Sequence, residues 1–464
     1  MPSFGSLNIA YTGLNAHQQR INVIGENITN VNTPGYHKQR VDLGPIHNSA
    51  SGLIVGEFRS GGGVQVLDIA RVRDKTLSDH ARNQGGRAAA ASERADILHA
   101  LEDVIGGLNP GGLHDQMTDL FNSFDDLAGS PDDPAMRRVV LQRAEIVGQG
   151  FTRTAGDVDD LRARTEEELF DTVRAINSLS EQIASADAEI LGANTIDADP
   201  NTLTDQRDAM ITELAALADV TISEQADGQV TISLDGQLLV SNGLSQDLEV
   251  VYAVDPTLTP LGYADLNVVN QQGRELNVTG GTLAAQLEAL QTTIPDGRRA
   301  LDGVAADLAT QVNAIHSVGV GLDGSTGNNL LEVGPNTGEL RLSPDVAGLP
   351  DRVATRLPGS GLLDNGNVRQ LAQLADDPAG PMAGFVTAVG ELAAKVSASD
   401  GQANAADIAK QQADTMALAA GGVSLDEELT DLITAQRAYE ASARIMTSID
   451  EMLQTLMTVG LVGR

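Results

Sequence analysis

Two stretches at opposite ends of this chain carry the same seven-residue repeat, and that repeat constrains everything between them. Near the start Leu7, Leu14, Ile21 and Ile28 recur at every seventh position, with Ala10, His17, Ile24 and Val31 three residues behind. These are the a and d positions of a coiled-coil seam. At the other end Leu425, Leu432, Tyr439, Met446 and Leu453 repeat the spacing, backed by Leu429, Gln436, Ala443 and Met457. An isolated amphipathic helix does not recover the backbone entropy of ordering it from one unburied seam. Each terminal segment therefore needs a partner, either the other terminus or further copies of the chain. Charge favours the first: residues 1–40 carry Arg20, Lys38 and Arg40 against Glu26, whereas residues 425–464 carry seven acids against three arginines. Salt screens that attraction but does not reverse it.

Beside the apolar seam runs a polar stripe, Asn8, Asn15, Asn22 and Thr29. It reads equally as solvated surface or as a row that meets neighbouring subunits and sets their register. His17 lies on the seam itself, where packing or a polar register role is the main reading and titration-linked assembly a minor one.

The first helix stops at Asn27-Ile-Thr-Asn30-Val-Asn32-Thr33-Pro34-Gly35-Tyr36. Pro34 pushes Thr33 out of the helical region, and Pro34-Gly35 suits the central positions of a type II turn. This stretch resembles the N-terminal signature of the axial proteins of the bacterial flagellum, the family of rod, hook and hook-associated proteins. The run Ser424-Leu-Asp-Glu-Glu-Leu429 through Ala435-Gln-Arg-Ala-Tyr439-Glu-Ala-Ser-Ala-Arg444 is similar to the closing helix of the same family. Three internal stretches resemble its hook-associated members at the first junction between hook and filament. They are Asp205-Gln-Arg-Asp208 with Ala218–Ser223, Gly280-Gly-Thr-Leu-Ala-Ala285, and Val312-Asn-Ala-Ile-His316 with Gly324–Gly327. The pattern departs at His37, where a small hydroxyl residue is more usual.

The resemblance implies a self-assembling structural protein of the hook–filament junction, with another axial role (hook, distal rod or second junction protein) as the alternative. It implies contacts with its own copies, the hook protein and the second junction protein. It also implies export by the flagellar type III route, and an export chaperone covering Leu425, Leu429, Leu432, Tyr439, Met446 and Leu453. The expected location is extracellular, in the flagellum.

Between the ends, periodicity predicts a mainly α chain with a small β-rich insert. Residues 1–40 plus 420–464 form a terminal coiled-coil domain. Residues 41–218 plus 281–419 form a helical middle domain with connectors, and 219–280 an outer β domain. Residues 41–86 read as a connector with extended pieces, and helix begins at Arg87. A long helix covers about 157–191, with breaks expected near Gly148, Gly150 or Gly156. Val220, Ile222, Val230, Ile232, Leu234, Leu238 and Val240 alternate with polar residues, and Asp227-Gly228 and Asp235-Gly236 supply hairpin turns. Pro295 is expected to break the next helix, and residues 334–382 form a loop-rich crossing.

Composition removes several classes of function. With no cysteine and 64 acidic against 30 basic residues, a net charge of −34, disulfide chemistry is excluded and binding to nucleic acid or anionic membranes is disfavoured. The first residues lack the basic and apolar regions of a cleavable signal peptide, and no apolar run is long enough to span a bilayer. The seven histidines form no metal-ligand or zincin pattern, and no nucleophile elbow occurs. Gly319-Val-Gly-Leu-Asp-Gly324 fits a dinucleotide fingerprint in letters only, since it follows a helix. Asp323, Ser325 and Glu332 lack the remaining ligands of a calcium loop. No cofactor, metal or catalytic site is expected.

Overall fold

The computed structural model describes residues 4–33, 35–46, 62–106, 111–196, 200–225, 227–334 and 339–462. The N-terminal heptads form helix α1 (Phe4–Thr29), followed by an antiparallel hairpin of β1 (Gln39–Pro45) and β2 (Val64–Arg71) packed on α1. Helix α2 (Lys75–Ile105) starts twelve residues earlier than its apolar periodicity suggests. The reason is local: Asp74 caps it, its carboxylate accepting from the backbone N–H of Thr76 and Leu77 at 2.9 and 3.2 Å. Then come α3 (Leu113–Gly129), α4 (Pro134–Thr195) and α5 (Asn201–Leu217).

Helix α4 is 62 residues long, about 93 Å at 1.5 Å per residue. None of Gly148, Gly150 and Gly156 breaks it. Two of them are sites of close packing: a Cβ on Gly148 would lie 2.5 Å from the Leu340 carbonyl oxygen, and one on Gly150 would meet Gln116.

Residues 219–280 hold β3 (Val220–Glu224), β4 (Val230–Leu234), β5 (Gln237–Ser241) and β6 (Leu244–Ser245) in one antiparallel meander, with β7 (Leu248–Ala253) and β8 (Asp265–Asn270) as a second pair. Asp235-Gly236 and Asn242-Gly243 turn two of the hairpins with positive φ at both residues, the type I′ geometry that suits strand twist. The second of these turns escaped the sequence reading. Helix α6 (Gly281–Glu288) passes through a π-helical turn at Ala289–Thr293 into α7 (Ile294–His316). Pro295 therefore does not end the helix. It stands in the first turn of α7, where the preceding wide turn absorbs the backbone bond that proline cannot make. The short pair β9 (Leu331–Val333) and β10 (Leu340–Leu342), α8 (Gly366–Gln373), α9 (Pro381–Gly421) and α10 (Leu425–Val462) complete the chain.

Three clusters of buried side chains follow one another along α4. The first joins its early turns to α3, α7, α8 and the start of α9 through Phe124, Phe151, Leu308 and Phe385. The second, through Leu101, Val158 and Leu392, joins α2 and α9 to its middle. In the third, Ile176 and Ile183 of α4 and Leu214 of α5 pack with Ile232, Val240 and Leu266. The β-rich segment thus shares its core with three helices, where an outward lobe was expected.

The loops of 317–367 are stitched from two residues of α7. Asn313 donates to the Leu331 carbonyl at 2.7 Å and accepts from Leu330 and Leu331. His316, 1% exposed, bonds the Asn328 carbonyl through Nδ1 at 2.8 Å and accepts the Ala354 N–H at Nε2 at 3.0 Å. That pattern requires the neutral ring, and burial holds its pKa below the ordinary histidine value.

Two expectations follow. Because the unfolded chain protonates His316 first, its contribution to stability is intact above pH ~6.5 and is lost as pH falls below that value. Denaturant unfolding of a His316→Gln variant should show less loss between pH 7.5 and 5.5, from a starting stability lower by roughly 1–3 kcal/mol. On α4, Gly148→Val should destabilise by about 1–3 kcal/mol. Gly156→Ala, where a Cβ meets nothing within 4 Å, should stabilise by about 0.4–1 kcal/mol.

Candidate functional site

The two terminal helices meet as an antiparallel pair, but the buried stripe of α1 is turned by one residue from the aliphatic heptad. Ala10, Gly13, Ala16, Val23, Ile24 and Asn27 are buried, whereas Leu7, Leu14, Ile21 and Ile28 are half-buried at its flank. Small side chains explain the rotation. The Cβ position of Gly13 lies 3.4 Å from the Ser442 hydroxyl, so the backbones approach closely where the larger residues would hold them apart. On α10 the buried positions are Glu428, Ala435 and Ile449, with Leu432, Tyr439, Met446 and Leu453 half-buried beside them. Leu425 and Leu429 are exposed, at 45% and 49%. An ion pair from Arg20 to Asp431, 3.2 Å, sets the register midway. His17 faces the pair with a buried Nδ1 that has no hydrogen-bond partner among the described residues. Burial, then Arg20, holds its pKa below the usual histidine value.

The signature turn closes this pair. The Tyr36 N–H donates to the Thr33 carbonyl at 3.2 Å and Gly35 has φ 80°, as the third position of a type II turn requires. Pro34 lies outside the described residues. Asn27 uses its whole amide: Nδ2 donates to the Gln39 carbonyl and to Glu428 Oε2, and Oδ1 accepts from the Gln39 N–H and the Tyr36 hydroxyl, all at 2.9 Å. No donor or acceptor of the amide is left over. Asn30 bonds the Glu26 carbonyl and accepts from Thr33, so it serves the helix end, while Asn32 is exposed. Lys38 completes the latch, its ammonium 2.8 Å from Glu428 and 3.3 Å from Glu427, and its N–H on the Gly421 carbonyl. Burial lowers the Lys38 pKa, but the two carboxylates outweigh it and the net shift is upward.

A second cluster fastens the latch to the helical body. Asp205 Oδ1 receives Arg71 at 2.7 Å and the His37 ring at 2.9 Å, while its Oδ2 accepts the His37 N–H. Asp208 pairs with Arg71 and Arg73, and Arg73 reaches on to Glu224 of β3. Arg207, 1% exposed, holds Asp187 of α4 at 2.9 Å and the Gly228 carbonyl at 2.6 Å. Burial pushes the Asp208 pKa up, and the surrounding arginines pull it further down, to a net value below the usual carboxylate range. The Asp205-Gln-Arg-Asp208 stretch is thus a socket for two arginines of β2 and its edge. Sequence reading missed Arg71, Arg73, Lys38 and Glu428. The only signal for them was the clustering of Arg71 and Arg73 after an extended run.

Among the described residues no three histidine, cysteine or carboxylate side chains come together as a metal site, and no helix is long and apolar enough to cross a membrane. What the site presents is contact surface: a helix pair with half-exposed aliphatic flanks, locked at one end.

Sequence comparison links both helices of this pair to flagellar rod proteins. Residues 7–37 match the model of flagella basal body rod proteins, and residues 416–459 that of the C-terminal region of the rod proteins FlgEFG. Residues 98–331, half of the chain, match the helical domain of flagellar hook-associated protein FlgK, and the chain belongs to that family. Flagellar hook-associated protein 1 of Bacillus subtilis is 25% identical over 514 aligned positions, covering all of this chain and 99% of its own. The Salmonella typhimurium protein of the same name is 27% identical over 71% of this chain and 59% of its own length. The solved structure of the flagellar hook junction protein FlgK from Burkholderia pseudomallei shares 27% identity, covering 55% of this chain and 47% of its own at a TM-score of 0.49. The family assignment rests on the sequence matches.

Asn27→Ala should remove the donor to Glu428 Oε2, whose other oxygen keeps Lys38, and leave the Gln39 N–H and carbonyl without their side-chain partner, at a cost of about 1–3 kcal/mol per buried group. Limited proteolysis should then cut faster in both terminal segments at once, with the main melting transition of the body unchanged.

Proposed function

We propose that this chain builds the hook–filament junction of a bacterial flagellum, as a ring of copies between the hook protein and the second junction protein. The observation that carries the reading is the terminal helix pair. It is locked by Asn27 and leaves Leu7, Leu14, Ile21 and Ile28 on one helix and Leu432, Tyr439, Met446 and Leu453 on the other half-covered. Side chains that large, flanking a pair of only two helices, gain further burial when neighbouring pairs pack beside them. The terminal pairs form the inner layer of the ring and the α4-centred body lies outside it.

The role is structural and not catalytic. It places the protein outside the cell as part of the flagellum, reached through the flagellar export route. Before assembly the exposed Leu425 and Leu429, together with Leu432, Tyr439, Met446 and Leu453, offer an apolar strip for an export chaperone.

Deletion of the gene, with electron microscopy of the cells and an assay of flagellin in the medium, tests the reading. Hooks without filaments and secreted monomeric flagellin are expected. Absent hooks would move the protein inward to rod or hook, and normal filaments would remove the junction role.

A further inference from the structure

Helix α10 carries a second seven-residue row, separate from the one half-covered beside α1. Glu428, Ala435 and Ile449 are buried and Ser442 meets Gly13, so these four residues mark the line of α10 that faces α1. Leu432, Tyr439, Met446 and Leu453 each follow one of them by four residues, which turns them roughly 40° to one side of that line. Thr434, Ala441 and Ser448 instead precede Ala435, Ser442 and Ile449 by one, a turn of roughly 100° to the other side. Ala438, Ile445 and Met452 interleave with them at the alternating three- and four-residue spacing of a packing seam. Thr434, Ala441, Ile445, Ser448 and Met452 are exposed, Ile445 by 55% and Met452 by 45%, and Ala438 is half-buried.

The aliphatic row of α1 lies on the opposite side of the pair. Leu14, Ile21 and Ile28 follow by one residue Gly13, Arg20 and Asn27, the positions that meet Ser442, Asp431 and Glu428. In an antiparallel pair, residues that follow the facing line on either helix come to the same side, and residues that precede it come to the other. The pair therefore has one side of large aliphatic side chains and one side formed by the Thr434–Met452 row.

The two sides match in height, size and charge. Because Gly13 lies against Ser442 and Asn27 bonds Glu428, Leu7, Leu14 and Ile21 stand level with Ser448, Ala441 and Thr434. Each large side chain on one side thus has a small one at its own height on the other. Neither row holds a charged residue, and Arg437, Glu440, Arg444, Asp450 and Glu451 all fall outside them. Copies of a chain with net charge −34 repel wherever acidic surfaces meet, so uncharged rows are where neighbours approach at least cost.

We propose that the Thr434–Met452 row of one copy packs on the Leu7, Leu14, Ile21 and Ile28 row of the next, the small residues of α10 receiving the aliphatic side chains of α1. The contact joins opposite sides of one module in parallel copies, so it repeats from copy to copy and closes into a ring or extends along an axis. It rests on the junction reading above and assigns the partner of the aliphatic flank.

Cysteine cross-linking tests it, since the chain has no cysteine of its own. Cells lacking the gene are supplied with full-length Ala441→Cys combined with Leu7→Cys, Leu14→Cys or Ile21→Cys. Their isolated flagella are treated with a mild thiol oxidant and run on a denaturing gel without reductant. Within one chain the paired sites lie on opposite sides of two helices, beyond the Cα separation of about 7 Å that a disulfide spans. At least one of the three combinations should give a ladder of covalent dimers, trimers and larger species, and which one does so reads the axial offset between neighbours. Ala441→Cys with Asn15→Cys, whose α1 site is exposed and turned away from both rows, should remain monomeric. If Ala441→Cys prevents filaments from forming, Ser448→Cys takes its place. No ladder from any of the three combinations in assembled flagella, or an equal ladder from the Asn15 variant, would overturn the contact. Failure of the unaltered gene to restore filaments would instead count against the junction reading.

Discussion

A helix of 62 residues cannot hold its own apolar face out of water, and the rest of this structure is the means by which that face is covered. Three buried clusters lie end to end along α4, each recruiting different elements: α3, α7 and α8 at one end, α2 and α9 in the middle, α5, α6 and the small sheets at the other. Residues whose side chains are missing, Gly148 and Gly150, matter as much as bulky ones, because they let the β10 strand and α3 lie against the helix backbone.

The terminal pair is attached by polar groups to α5, which packs on that rod. Asn27 ties α1 to the signature turn and to α10, and Asp205 and Asp208 receive Arg71, Arg73 and His37 from the hairpin that follows. Buried ion pairs of this kind add little net stability once desolvation is counted, but they tolerate few alternative geometries. A joint built from them fixes how the terminal helices meet the body without needing a large apolar interface. For an assembly protein that separation is useful: the apolar flanks of the helix pair stay available to neighbours, while the angle at which the pair leaves the body is held by hydrogen bonds. His37 occupies a position that shapes the joint and not the turn, since both its backbone and its ring engage Asp205.

Much of this was legible beforehand, and the limits were physical. Helix period, the switch to alternation at Val220 and the Asp-Gly turns are local properties, and α5, β3, β4 and β5 follow them. The start of α2 was not legible from apolar spacing, because residues 75–86 are polar and small and the helix is set there by the Asp74 cap. The intrinsic propensities of Pro295 and of the glycines in α4 oppose a helix, and the packing of α7 and α4 overrides them.

What the sequence determined by itself was that the two ends carry matched seams and that a turn with left-handed glycine follows the first, since heptad spacing and the demand for positive φ at Gly35 are written in single residues. Only the tertiary structure decided which stripe of α1 is buried. Two helices approach along their smallest residues, so Gly13 and Ala16 joined Ala10 in the seam and the leucines moved to its flank. It also decided that Asn27, Glu428 and Lys38, spread across 401 positions of chain, form one buried cluster. Hydrogen bonds at that separation depend on where the whole fold places both ends.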